Sequence, residues 1–139
     1  SGKPLMPRYA TRIERLETNG SNLEYGLERA RRNTPDGTSD EIVSFLANIA
    51  LDIRLEQIRD GGRMSQEANN SAFSDRIKVP VLILSGGKDT VISDEMHNAL
   101  TSAFPVAEQI VFPDAGHASY AECPEKYHAE IIKFANKTE

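Results

Sequence analysis

The chain has 139 residues, 39% of them apolar and 27% charged, which is one ordinary domain's length with a globular composition and excludes a disordered tail. Its net charge of -5 comes with basic residues that are scattered or paired with acids, so neither nucleic acid nor an anionic membrane is indicated as a partner, and a small organic substrate or a protein is. Its single cysteine, Cys123, excludes an intrachain disulfide and a thiolate zinc site.

No apolar run approaches the roughly 20 residues of a membrane-spanning helix. Ser1-Gly2-Lys3-Pro4 has no signal-peptide core, so a reducing, cytoplasmic setting is the expectation. Asn-x-Ser/Thr triplets at Asn19, Asn69 and Asn136 would matter only in a secreted chain.

Residues 1–75 form a helical, strand-poor segment. A helix over Asn22–Arg32 carries Leu23, Leu27 and Ala30 on one side. Pro35-Asp36-Gly37 marks a turn, and Thr38 with Glu41 three residues on forms a capping box. From there one helix is expected over Asp40–Asp60, with Ile42, Phe45, Leu46, Ile49 and Ile53 as a buried stripe and Leu51, Leu55 and Ile58 as a second face; Gly61-Gly62 would stop it. Met64–Phe73 fits a third helix.

Residues 76–139 alternate strand and helix. Val79-Pro80-Val81-Leu82-Ile83-Leu84 reads as a parallel strand buried on both faces, and Ser85-Gly86-Gly87 ends it. Ser93 caps a helix from Asp94 to Phe104, a second strand lies around Gln109-Ile110-Val111-Phe112, and Pro124 opens a last helix burying Tyr127, Ile131, Ile132 and Phe134. This order implies an α/β fold with parallel strands and a right-handed crossover. Two such strands are an incomplete sheet, so a partner completing the core is expected.

Functional groups of such sheets gather at the carboxyl ends of the strands, where Asp89 and His117, 28 residues apart, both fall. Adjacent strands would let the Asp89 carboxylate accept the Nδ1 proton of His117 and leave Nε2 as a base. As alternatives, Asp89 is a turn or capping aspartate, and His117 is a loop histidine packed by Tyr120. His97 and His128 fall on predicted helices as surface or boundary residues. Asp114 and Glu122 match no metal motif beside His117, so neither a metal nor another cofactor is expected. Cys123, ahead of the helix-opening Pro124, reads as a packing residue.

The run Ile77-Lys78-Val79-Pro80-Val81-Leu82-Ile83-Leu84-Ser85-Gly86-Gly87-Lys88-Asp89 resembles the strand and acid turn, G-x-x-D, of the α/β-hydrolases. Phe112-Pro113-Asp114-Ala115-Gly116-His117, then Glu122-Cys123-Pro124-Glu125 and the amphipathic terminal helix, resembles their histidine loop and closing helix. Together they cover about the last 60 residues. Ser93 stands where many members carry a proline. The resemblance implies that Asp89 and His117 are the acid and base of a Ser-His-Asp triad. Residues 1–75 then look like the cap many members insert before this strand, and 76–139 like the carboxyl-terminal core.

The family's nucleophile sits in a G-x-S-x-G elbow upstream of the acid. The nearest match, Gly37-Thr38-Ser39-Asp40-Glu41, lacks the second glycine and a preceding strand; Ser1-Gly2 also lacks the strand, and Ser85 and Ser119 lack the elbow's setting. The oxyanion donors lie upstream as well in this family. Two readings stand: a carboxyl-terminal fragment of a serine-dependent hydrolase of esters, thioesters, lactones or carbon-carbon bonds, completed by an amino-terminal part bearing the serine, or a non-catalytic interaction module that self-associates.

Overall fold

The computed structural model describes residues 4–19 and 22–138. Ser1, Gly2, Lys3, Gly20, Ser21 and Glu139, and with them most of the start of the chain and the last two residues of the Asn19 triplet, lie outside the described residues. The chain divides into two compact units, one made of Ser1–Ala30 with Ser44–Asn69 and the other of Arg31–Val43 with Asn70–Glu139.

The first unit is helical. Helix α1, Pro7–Asn19, is an element the sequence reading missed; proline suits its first position because the N–H it lacks has no helical acceptor there. Tyr9 is buried in α1, flanked by the Arg8 and Arg12 guanidiniums 4.7 and 5.5 Å from its ring centre. Helix α2, Asn22–Asn33, buries Tyr25, Gly26 and Ala30 and leaves Leu23 exposed, so its inner face differs from the Leu23, Leu27, Ala30 side expected.

The single helix expected over Asp40–Asp60 is two, α3 over Asp40–Asn48 and α4 over Leu55–Glu67. Between them Ala50, Leu51 and Ile53 donate to carbonyls three residues back, and the Asn22 side-chain amide donates to the Leu51 and Ile53 carbonyls at 2.8 and 3.3 Å. Those acceptors are lost to a continuing helix. Gln57 Oε1 then accepts the Arg54 N–H at 2.8 Å, starting α4 afresh. The break also reorganises the buried stripe: Val43, Ala47 and Ala50 are buried, whereas Phe45 and Ile49 are 57% and 58% exposed. At the start of α3 the cap is Ser39, whose Oγ accepts the Ile42 N–H, while the Thr38 hydroxyl donates back to the Pro35 carbonyl.

Gly61 and Gly62 do not stop a helix; both lie inside α4. Helix α1 packs on α4, and a Cβ on Gly62 would sit 2.8 Å from Tyr9 Cγ, so the missing side chain is what lets the two helices approach. The expected Met64–Phe73 helix is likewise divided, α4 ending at Glu67 and a 3-10 segment following over Ser71–Arg76.

The second unit holds the sheet. Strand β1, Leu82–Gly86, runs parallel to β2, Glu108–Phe112, in the register Leu82 to Glu108 through Gly86 to Phe112. Among the described residues the sheet has these two strands, so Ile83 alone of β1 is buried and Val79 lies outside the strand, 70% exposed. Helix α5, Asp94–Ala103, is capped by Ser93 Oγ, which accepts the Met96 N–H at 3.3 Å. A short helix, α6 at Ser119–Glu122, precedes the terminal helix α7 over Pro124–Thr138. Tyr127 of α7 stacks on buried Phe112 at 5.6 Å, and Lys137 pairs with Glu108 of β2 at 2.7 Å. Contrary to expectation, Ile131 and Ile132 are exposed, because no neighbour covers that side of α7 among the described residues.

The two adjacent glycines of α4 should respond oppositely to a methyl group. Gly62→Ala drives its Cβ into the Tyr9 ring and should cost about 1–3 kcal/mol. Gly61→Ala meets nothing within 4 Å and should gain about 0.5–1 kcal/mol from helix propensity. Urea unfolding midpoints check both; equal midpoints for the two variants would mean that α1 and α4 do not approach as closely as described.

Candidate active site

The β1–β2 pairing continues past the strand ends as a main-chain zipper between two loops. Gly87 N–H donates to the Phe112 carbonyl at 2.8 Å and Lys88 N–H to the Ala115 carbonyl at 2.9 Å. At Gly86 a Cβ would fall on the Gly116 carbonyl, so this crossing requires glycine. Lys88 also pairs with Asp114 at 3.0 Å, in the open and worth little by itself.

These bonds bring Asp89 and His117 together. His117 Nδ1 lies 2.9 Å from Asp89 Oδ2. The other oxygen, Oδ1, accepts the N–H groups of Val91 at 2.7 Å and Ile92 at 3.1 Å, which closes the acid turn on its own side chain. The Asp89 side chain is 14% exposed and that of His117 38%. Burial pushes the Asp89 carboxyl up, but the hydrogen bond from His117 and those from Ile92 and Val91 outweigh it, and the group is held below its ordinary value. An ionised carboxylate only accepts, so Nδ1 carries the proton and Nε2 of the neutral ring is left with its lone pair.

The histidine loop has anchors that the sequence reading did not recognise. Glu122 spreads its carboxylate under the loop: Gly116 N–H donates to Oε2 at 2.9 Å and to Oε1 at 3.1 Å, and Ala118 N–H donates to Oε1 at 3.1 Å. His117 N–H itself donates to the Asn33 carbonyl at 2.9 Å, at the end of α2. The visible signal was the glutamate five residues past the histidine and just before the Pro124 helix start, a spacing that returns a carboxylate to its own loop.

Asp89, His117, Ser85, Ser119, Tyr120 and His97 share the lining of a cavity of about 370 Å³. His97 is half-buried, the boundary position expected of it, and lines this cavity. His128 lies edge-on to Tyr127 at 6.2 Å, away from the cavity lining. Tyr120 packs edge-on against Tyr127 at 6.4 Å. Among the described residues no hydroxyl or thiol hydrogen-bonds His117 Nε2. Cys123 donates its thiol to the Ser119 carbonyl at 3.2 Å, and burial, with Glu122 beside it, pushes its pKa up, so it stays a thiol. No group of three or more His, Cys, Asp or Glu side chains among the described residues is placed to hold a metal ion.

Two outcomes follow from this geometry. Because the Asp89 pKa is lower folded than unfolded, its contribution to stability is complete above the ordinary carboxylate range and is lost as pH falls through the lowered value. The gap in urea midpoint between the native chain and Asp89→Asn should therefore close between about pH 5 and pH 2. Glu122→Ala removes a charged acceptor from two amides and should cost about 1–3 kcal/mol. The Gly116 and Ala118 amides should also lose protection from hydrogen exchange, and unchanged protection would show that other contacts hold the loop.

A sequence profile of the α/β hydrolase fold matches residues 26–124. A Yersinia pestis protein named "Putative carboxymethylenebutenolidase" is 53% identical over 55 residues, which are 37% of this chain and 21% of that protein. Among solved structures, a thermophilic esterase from Thermogutta terrifontis superposes with a TM-score of 0.77 at 22% identity, over 99% of this chain and 53% of that one. The enol-lactonase from Burkholderia xenovorans LB400 gives a TM-score of 0.77 at 18% identity, over 92% and 50%. The chain thus spans about half the length of these solved structures, and the match to the Yersinia protein about a fifth of that protein. At such identities the structural likeness is one of fold, and with the profile covering most of the sequence, the chain belongs to the α/β hydrolase fold family.

Proposed function

We propose that this chain is the carboxyl-terminal portion of a serine-dependent hydrolase in which Asp89 and His117 are the acid and base of the triad. The observation that carries the reading is the 2.9 Å bond from His117 Nδ1 to Asp89 Oδ2, with Oδ1 already saturated by two backbone amides. Such a carboxylate has one remaining task, which is to hold the imidazole in the tautomer that presents Nε2. A serine supplied by the amino-terminal part of the same hydrolase attacks the substrate carbonyl, and Nε2 of His117 takes its proton and returns it to the leaving group. Asp89 stabilises the imidazolium in between. That amino-terminal part would also bring the oxyanion donors and the strands that flank β1.

Esters and lactones are the favoured substrates, with thioesters and carbon-carbon bonds open to the same chemistry. The support is the naming of the relatives, a carboxymethylenebutenolidase, an enol-lactonase and an esterase. Residues 1–75 take the part of the family's cap segment and 76–139 that of its carboxyl-terminal core segment; the profile match beginning at residue 26 supports counting part of the helical segment as hydrolase architecture. The lone cysteine, held as a thiol, fits a cytoplasmic setting. No helix among the described residues is long and apolar enough to cross a membrane.

In the intact protein, Asp89→Asn should lower kcat about 10⁴-fold with the fold retained, since the amide leaves the wrong tautomer facing the nucleophile. His117→Ala should lose at least as much. A serine-reactive phosphonate should label one serine upstream of Asp89. Turnover that survives Asp89→Asn would remove the acid assignment, and a protein that takes no label would be the non-catalytic interaction module instead.

A further inference from the structure

Helix α2 stops at Asn33 because the residues that follow do not continue it. Thr34 precedes a proline, which disfavours helical backbone at residue 34, and Pro35 has no N–H to donate back to Arg31. The carbonyls of Arg32 and Asn33 are among the four that a helix end leaves without a partner in its own ladder. Pro35 is held in turn by Thr38, whose N–H and hydroxyl both donate to its carbonyl, at 3.2 and 2.8 Å. Residues Arg31–Val43 belong to the same compact unit as the two strands.

Both loops of the candidate site come to this helix end. His117 donates its N–H to the Asn33 carbonyl at 2.9 Å, and Thr90, next to Asp89, donates its hydroxyl to the Arg32 carbonyl over a longer 3.4 Å. Gly116 meets the same stretch: a Cβ there would lie 2.9 Å from the Asn33 oxygen, 2.9 Å from Pro35 Cδ and 3.3 Å from Thr34 Cα. The histidine loop thus lies against residues 33–35 with no room for a side chain at position 116. Acceptors alternate along the loop, Glu122 taking the Gly116 and Ala118 amides and Asn33 the His117 amide between them. Without the Asn33 bond the backbone at His117 can turn between two fixed neighbours, and that turn carries Nδ1 away from Asp89 Oδ2.

We propose that Arg32–Pro35 is a positioning segment for the triad, a role that rests on reading Asp89 and His117 as its acid and base. The proline-stopped end of α2 offers its open carbonyls to the acid and base loops and so fixes the imidazole that Asp89 orients. Asn33 and Pro35 act through His117, as positioning residues.

Pro35→Ala restores the missing N–H and releases residue 34, so α2 can run on and take the Asn33 carbonyl into its own ladder. In the intact protein this variant should lower kcat about 10- to 100-fold, with KM within about twofold of the native value. Proton NMR should show the His117 Nδ1–H signal broadened or moved to higher field. The His117 amide should exchange with solvent about tenfold faster, while the Ala118 amide, held by Glu122, keeps its protection. Gly116→Ala, which pushes on residues 33–35 from the other side, should give the same loss of kcat and the same Nδ1–H change. Each variant decides by itself, so one that fails to fold leaves the decision to the other. Full kcat in either folded variant, or a loss of kcat with the Nδ1–H signal unchanged, would overturn the proposal. Equal loss of protection at His117 and Ala118 in Pro35→Ala would overturn it as well, because the loop would then be loosening as a whole. Asp89→Asn measured alongside separates the two levels. Turnover that survives it removes the triad reading and the positioning role with it, whereas turnover lost there and kept in Pro35→Ala removes the positioning role alone.

Discussion

The residue-for-residue parallel pairing of β1 with β2 is the constraint on which the candidate site depends. Gly86 stands opposite Phe112 at the carboxyl end of both strands, so the loops that follow leave from the same point. The Gly87 and Lys88 amides then reach the Phe112 and Ala115 carbonyls and carry the pairing into the loops. A shift of one residue would turn the side chains of a strand to the opposite face and break those bonds. Asp89 and His117 meet because their backbones are fixed first, and their side-chain bond completes an arrangement that main-chain hydrogen bonds have set.

The loop bearing His117 has no regular structure of its own, so its amides need acceptors from elsewhere. Glu122 takes those of Gly116 and Ala118, and Asn33 takes that of His117. Every amide from 116 to 118 is thereby spoken for, and the imidazole stands on a backbone with little freedom to drift. Precision of this kind is what a base must have, because proton transfer requires hydrogen-bond distances at both ring nitrogens.

The legible part of the sequence was the part whose structure is determined locally. The apolar run ending at Gly86-Gly87, the Ser93 cap, the second strand and the helix opening at Pro124 each carry their signal within a few residues, and with them the placement of Asp89 and His117 at adjacent loops. The helical segment was read less well because its bounds are set at a distance. Asn22 captures the Leu51 and Ile53 carbonyls and divides what hydropathy presents as one helix. Tyr9 requires Gly62 inside α4, where a glycine pair looks like a stop. Helix α1 went unread because its residues are mostly polar or charged and its anchor is a tyrosine. The exposure of Ile131, Ile132 and Val79 was equally invisible, since burial depends on what lies across from a surface, and a linear pattern shows only that the surface is apolar.

Several carboxylates lie around His117, and their oxygens distinguish them better than their positions do. Asp114 is turned to Lys88 in solvent. Glu122 accepts amide N–H groups on both of its oxygens, so its charge is spent on the loop backbone. Asp89 alone divides its two oxygens between functions, Oδ1 to the amides of its own turn and Oδ2 to the imidazole. The first task fixes the carboxylate's orientation and helps keep it ionised, and the second needs an ionised, oriented acceptor to hold the proton on Nδ1. An aspartate that served only as a turn residue would have no cause to sit largely buried with its second oxygen on a histidine 28 residues away. That division of labour is the physical ground for reading Asp89 as the acid and Glu122 as the support of the loop that carries the base.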